Sequence, residues 1–342
     1  MSILNWLKRK GEAPRRAPDA DARVKHAIEL AVIGIDARLR LVQGYESRLL
    51  PSVQIALAHC AALAAAIPGP IDLMPDAWVR NPGVRALFVQ PAEIDDLLGR
   101  SLELLAYAEQ PAHAGVDEMC AVISLMRTEQ KVLGWASHGE ILHKDVPQRT
   151  VSFSRHRLLA PSESEADLRS DIGWRAYEQL VVEALGHLFQ SDATERPSGR
   201  AAALLRERLQ LLQRARAGLV ALHQPPLADE TAFQSLRQQL IENGRQLASL
   251  HRGAHSLEER LERVAEVLSK PEEVIVFGQI EDRLTSLNVI AGNDAEIAAD
   301  LRLAEIGIKG EQTNARTTAI VRLQRRQLKA RRMDFSAAER WL

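Results

Sequence analysis

The residues with the most chemistry to offer in this chain are arginines. Arg149, Arg155, His156 and Arg157 flank a candidate strand at Val151–Ser154, and Arg322, Arg325, Arg326, Lys329, Arg331 and Arg332 fall within eleven residues that contain no acid. A guanidinium presents a planar fork of N–H donors that matches two oxygens of a phosphate. Two such clusters brought together would bind a phosphorylated small molecule such as a nucleotide, or nucleic acid. Composition tempers the signal. Arginine outnumbers lysine 36 to 8, an imbalance typical of a high-GC bacterial proteome, against which an arginine run is more often a solvated face.

Histidines and carboxylates offer less. His138-Gly-Glu140, with His143 and Asp145 nearby, opens like a zinc-deaminase signature. That chemistry needs a downstream P-C-x-x-C, and both cysteines, Cys60 and Cys120, lie upstream. The segment reads as a polar turn. His251, His255 and Glu259 recur every four residues, which stacks them on one helix face, but they sit beside an apolar seam where solvated polar residues are expected. No metal and no cofactor is expected. No lysine precedes a serine or threonine, so the Walker A loop is absent, as are G-x-G-x-x-G, H-E-x-x-H and G-x-S-x-G. These absences favour a non-enzymatic role without excluding an enzyme that lacks such signatures.

A third group lies at the N-terminus. Ile3, Leu4, Trp6 and Leu7 precede Lys8, Arg9 and Lys10, a pattern that suits docking into a partner groove or a membrane interface. The remaining tryptophans, Trp78, Trp135, Trp174 and Trp341, read as core or interface anchors.

The elements that must position these residues follow from composition and periodicity. The 342 residues are 46% apolar and 26% charged with a net charge of -1, ordinary globular material for two or three domains. Two cysteines build no disulfide framework. No run of about 18 apolar residues suggests a membrane span, and the N-terminal charges follow rather than precede the apolar part, unlike a secretory signal. The expected compartment is the cytosol, with peripheral contact at the inner membrane.

Residues 1–20 read as an amphipathic segment and linker, and 21–110 as a helical domain. Val24, Ile28, Ala31, Ile35, Leu39 and Val42 predict a first helix, Pro51 opens a second, and Ile94, Leu97, Leu98, Leu102 and Leu105 mark a third. Residues 116–160 predict a small antiparallel meander, 161–270 a helical bundle, and 271–342 an α/β piece that could share a sheet with 116–160. Within that last piece, Val274–Phe277 suggests a strand, Gln279–Ile290 looks helical, and 300–309 with 317–323 suggest a hairpin.

The most regular signal is a ladder at threes and fours from Phe233 to Leu268, apolar at ten of eleven positions, including Leu240, Leu247, Leu250, Leu257 and Leu261, and interrupted by Asn243. As one rod it would span roughly 50 Å at the α-helical rise, more than the helix expected at 200–222 can cover. The fold class expected is therefore mainly α, within α+β: a helical unit, a small β element, a long coiled-coil-like helical hairpin and a C-terminal α/β piece. The function expected is that of a bacterial interaction or regulatory protein. It would self-associate along the ladder as a homo-oligomer, with Asn243 fixing register, and dock a protein partner or membrane by its N-terminal segment. The alternative is a sensing module for a nucleotide or nucleic acid, built on the arginine clusters.

Overall fold

The computed structural model describes residues 20–74, 76–138, 141–195, 200–214, 230–249, 254–291, 298–309 and 316–328. In chain order the elements are α1 (Ala20–Ile35), α2 (Tyr45–Ala66), β1 (Ile71–Asp72), α3 (Ala77–Arg80), α4 (Pro82–Leu87), α5 (Ala92–Arg100), α6 (Leu102–Glu109), β2 (Glu118–His138) and β3 (Ile141–Ser162). They continue with α7 (Glu165–Glu195), α8 (Arg200–Arg214), α9 (Glu230–Ser249), α10 (Ala254–Ser269), β4 (Ile275–Thr285), β5 (Ala298–Ile308) and β6 (Arg316–Gln324). Two compact units result. One is helical, drawn from the chain up to Ala66 and from Arg169–Val276; the other holds the sheet and the short helices between residues 67 and 168.

In the helical unit, Ile28, Ala31 and Ile35 of α1 are buried, as their spacing requires. The helix stops at Ile35 rather than running on to Val42. Asp36 accepts a hydrogen bond from the Arg38 backbone N–H at 3.0 Å and caps a short 3-10 turn, Ala37–Leu41. Helix α2 starts at Tyr45, with Pro51 inside it, and buries Leu49, Val53, Ala56, Cys60 and Leu63. It is long and apolar enough to cross a membrane, yet its buried face meets α1 and α10. At Gly173 of α7 an added Cβ would lie 3.3 Å from the Cys60 carbonyl oxygen, so a side chain there would crowd α2.

The described residues show no long helical hairpin, which corrects the expected fold class. The ladder is divided between α9 and α10, and each half has a different neighbour: α9 packs on α8, and α10 packs on α2. Leu240, Leu247, Leu257 and Leu261 are all buried within the unit, while Leu250 lies outside the described residues. Spacing at threes and fours serves two separate ridge-into-groove packings as well as it serves one continuous seam. Asn243 is buried too, but in an intramolecular role. Its amide donates to the Leu204 carbonyl at 2.9 Å and to Glu207 at 3.1 Å. Beside it Arg208, 5% exposed, donates to the carbonyls of Ile33 and Gly34, the latter at 2.6 Å, and so caps the C-terminus of α1.

The β content also departs from the expected small element in a mainly α chain. The sheet has six strands in the order β3-β2-β6-β5-β4, with β1 added parallel to β6. Its first hairpin comprises strands of 21 and 22 residues rather than a meander of short ones. Strand β2 pairs antiparallel with β6 from Glu118↔Gln324 to Met126↔Arg316, and with β3 from Cys120↔Ser162 to His138↔Ile141. The segment expected to be helical, 279–290, is the body of β4 and the loop after it. That loop ties back to β3: the Val151 N–H donates to the Asn288 carbonyl at 2.9 Å and the Ile290 N–H to the Arg149 carbonyl at 2.8 Å. The sheet therefore curls into a half-barrel.

Inside the curl, Met119, Ala121, Ile123 and Leu125 of β2 join Ala319, Val321 and Leu323 of β6 against Ile94, Leu97 and Leu98 of α5 and Leu104 of α6. Leu102, expected in the core, is 72% exposed because the chain breaks at Ser101 between α5 and α6. The opposite face of the central strands, Val122, Ser124, Thr318 and Ile320, is buried as well, so Met119–Met126 reads as a continuous apolar run with no alternation. At Gly69 (φ +122°) a Cβ would lie 2.3 Å from the Ile320 carbonyl oxygen. Only glycine lets the chain before β1 approach β6 this closely.

Candidate anion site

The two arginine clusters picked out by spacing do not assemble as one. Arg149 donates to Glu129 across the hairpin. Arg322 donates to Asp72 at 2.9 Å, which raises its pKa further, and lines a cleft of about 190 Å³ shared with two carboxylates, Asp72 and Glu118. Such a cleft does not attract an anion. Arg325 donates to the carbonyls of Ala108, at 2.7 Å, and of His113. Arg326 is exposed beyond the end of β6. Ile3, Leu4, Trp6 and Leu7 lie outside the described residues.

His156 turns out to be a structural anchor. Its ring stacks on Phe88 with centroids 4.7 Å apart, and its Nε2–H donates to the Leu87 carbonyl at 2.9 Å. Burial pushes its pKa below the ordinary histidine value, against the pull of the Leu87 carbonyl and the Glu93 charge.

What remains is a smaller group with one member that spacing did not reveal. Strands β3 and β2 pair at Met126↔Ser154 and again at Ser124↔Arg157, so Arg155 and His156 together oppose the single residue Leu125. This is a β-bulge, a device that re-aims side chains and often sits beside functional sites. Arg155 takes φ +53° there, a left-handed conformation that costs a non-glycine residue about 1 kcal/mol or more. His156 goes to the Phe88 side. Arg157 stands beside Ser124 on β2, and from the next strand Arg316 reaches the same serine, its Nη1 3.4 Å from Oγ. Burial first, then the positive charges of Arg157 and Arg155, lower the pKa of Arg316. Three guanidiniums thus repel one another at the junction of β3, β2 and β6, where a bound anion would relieve the repulsion.

A second constellation, His113 with Glu163, has the form of a base and its orienting carboxylate, Nδ1 to Oε1 at 2.5 Å. Its ring lies flat on Tyr107, 3.9 Å between centroids, and the buried Nε2 has no hydrogen-bond partner among the described residues. Among the described residues no hydroxyl or thiol is in hydrogen-bond reach of that nitrogen. Among the described residues no group of three His, Cys, Asp or Glu side chains is placed to hold a metal. No protein-family model, curated protein or solved structure matches the chain.

Proposed function

We propose that the chain is a binding module for a phosphorylated small molecule, held by Arg155, Arg157 and Arg316 on the curled sheet. The observation that carries this reading is the bulge: the chain accepts a strained arginine at position 155, two residues from Arg157, and Arg316 on β6 feels the positive charge of both. Three forked donors on one short patch suit the oxygens of a single phosphate or diphosphate better than the extended backbone of a nucleic acid. Among the described residues of the ladder, Leu240, Leu247, Leu257 and Leu261 are buried inside the helical unit, so they do not themselves call for a second copy.

Thermal shift tests the proposal with orthophosphate, nucleoside mono- and diphosphates, and a short oligonucleotide. A ligand at a hundredfold excess over its Kd adds about 2.7 kcal/mol to stability, or roughly 5–10 °C in Tm for a domain of this size. Arg157→Gln combined with Arg316→Gln should abolish the shift, while Arg322→Ala should leave it intact. No shift with any phosphate, or a shift that survives the double substitution, overturns the reading. A shift with the oligonucleotide alone replaces it with nucleic-acid binding.

A further inference from the structure

Beyond Met126 strand β2 leaves β6 and, among the described residues, pairs with β3 alone, so the hairpin continues as a two-stranded arm. Its base is fixed. Arg127 grips Asp282 through two hydrogen bonds of 2.8 Å, and the loop at 288–290 pairs with β3 at Arg149 and Val151. Past that point the arm carries large apolar side chains in the open: Leu133 is 69% exposed, Trp135 55% and Val132 36%.

Alternation places Lys131, Leu133 and Trp135 on one face of the arm. The partner strand adds Pro147 opposite Leu133 and Arg149 opposite Lys131. A second bulge, with Gly134 opposite Val146 and Ala136 opposite His143, sets two residues, Lys144 and Asp145, against Trp135. The Lys144 ammonium lies 4.6 Å from the Trp135 ring centroid, a cation–π distance. Arg149 is occupied by Glu129. The face is therefore an apolar platform of Leu133, Trp135 and Pro147 with two lysines at its margin.

We infer that this arm docks on an anionic lipid surface, inserting Trp135 and Leu133 at the interface while Lys131 and Lys144 meet the headgroups. Charge complementarity selects this occupant. Lysines beside an apolar tip favour an anionic partner, and tryptophan settles at the boundary between apolar and wet phases. Single-stranded nucleic acid would need successive aromatic faces for its bases, and among the described side chains of this face Trp135 is the one aromatic ring, beside Leu133 and Pro147. The N-terminal segment, with Trp6 beside Lys8, Arg9 and Lys10, fits poorly as an intramolecular cover because its charge has the same sign. Stable membrane attachment generally takes two weak signals, and that segment has the composition of a second.

The full chain is sedimented with phosphatidylcholine vesicles with and without phosphatidylserine, in parallel with the variants. Wild type should partition onto the anionic vesicles. Leu133→Ser with Trp135→Ser should lower the partition at least about tenfold, a fraction of what full burial of two apolar side chains is worth. Lys131→Glu and Lys144→Glu should each lower it about fivefold or more, and only where phosphatidylserine is present. Both pairs lie outside the core, and an unchanged melting temperature verifies that the variants fold. Partition unchanged in the serine variant, or absence of vesicle binding alongside oligonucleotide binding through the same residues, overturns the inference. Arg157→Gln with Arg316→Gln should leave the partition unchanged, which separates this surface from the phosphate site.

Discussion

Two arginine groups of similar size behave oppositely in this molecule. In the helical unit Arg38, Arg208 and Arg260 have defined acceptors. Arg38 grips the buried Asp36 carboxylate at 2.6–3.1 Å, Arg260 approaches the same carboxylate at 3.4 Å, and Arg208 caps α1. On the sheet Arg155, Arg157 and Arg316 stand together, and the neighbouring charges that depress Arg316 are positive. The first group is arranged so that folding supplies the acceptors. The second has like charges for neighbours, an arrangement that a bound anion would relieve. Burial alone does not separate the two, since Arg208 is the more deeply buried and its pKa is pushed down to about 10. The difference lies in what faces the guanidinium.

The largest effect should follow from removing a satisfied arginine. Arg208→Met fills much of the same volume but strands the Ile33 and Gly34 carbonyls at the end of α1, together with the Asn243 amide oxygen. The expected loss is about 3 kcal/mol, the usual consequence of leaving several buried polar groups unpaired, read from urea unfolding. A neutral outcome would mean that the cluster in the helical unit is as dispensable to folding as the one on the sheet, and the contrast between them would fail.

A smaller effect depends on pH. His156 has its folded pKa held below the ordinary value of about 6.5 by burial. On acidification the unfolded chain takes up this proton before the folded one does, so stability declines as pH drops through 6.5 toward the lowered folded value. The decline is measured as a shift in the urea midpoint between pH 7 and pH 5.5. His156→Gln keeps an N–H donor for the Leu87 carbonyl and should flatten this part of the profile. An unchanged slope in the variant would remove His156 as the anchor that holds Arg155 and Arg157 to the other side of the bulge.

These distinctions were only partly open to a sequence reading. Helix α1 could be read from Ile28, Ala31 and Ile35 because a one-sided apolar stripe has one helical solution. Its end could not, since Asp36 stops it by a local cap and nothing in the apolar spacing marks that cap. The ladder from Phe233 to Leu268 misled because its period records that each helix buries one side without recording against what. The central strands were ambiguous because both their faces are buried, which erases alternation at Met119–Met126. At the candidate site, Arg155 and Arg157 lie close together in sequence and were visible. Arg316 was not: its place beside Ser124 is set by the register of β2 on β6, a long-range pairing with no local trace. The same lack of long-range information grouped Arg322 and Arg325 with a site, although Asp72 and the carbonyls of Ala108 and His113 claim them.

The smallest expected effect separates stability from binding. Arg155 is exposed and held at φ +53°, so Arg155→Gly relieves left-handed strain at a position where no buried contact is lost. Glycine also has more freedom to lose on folding, which offsets part of the gain. The net stabilisation should be about 0.5 kcal/mol, within reach of replicate urea titrations. If the strain serves a ligand, that small gain must coincide with weaker phosphate stabilisation, because one of three forks is gone. A glycine variant that is both more stable and undiminished in binding would show that the bulge is merely tolerated. One that is less stable would show that the Arg155 side chain contributes to folding, and would move it into the class of Arg208.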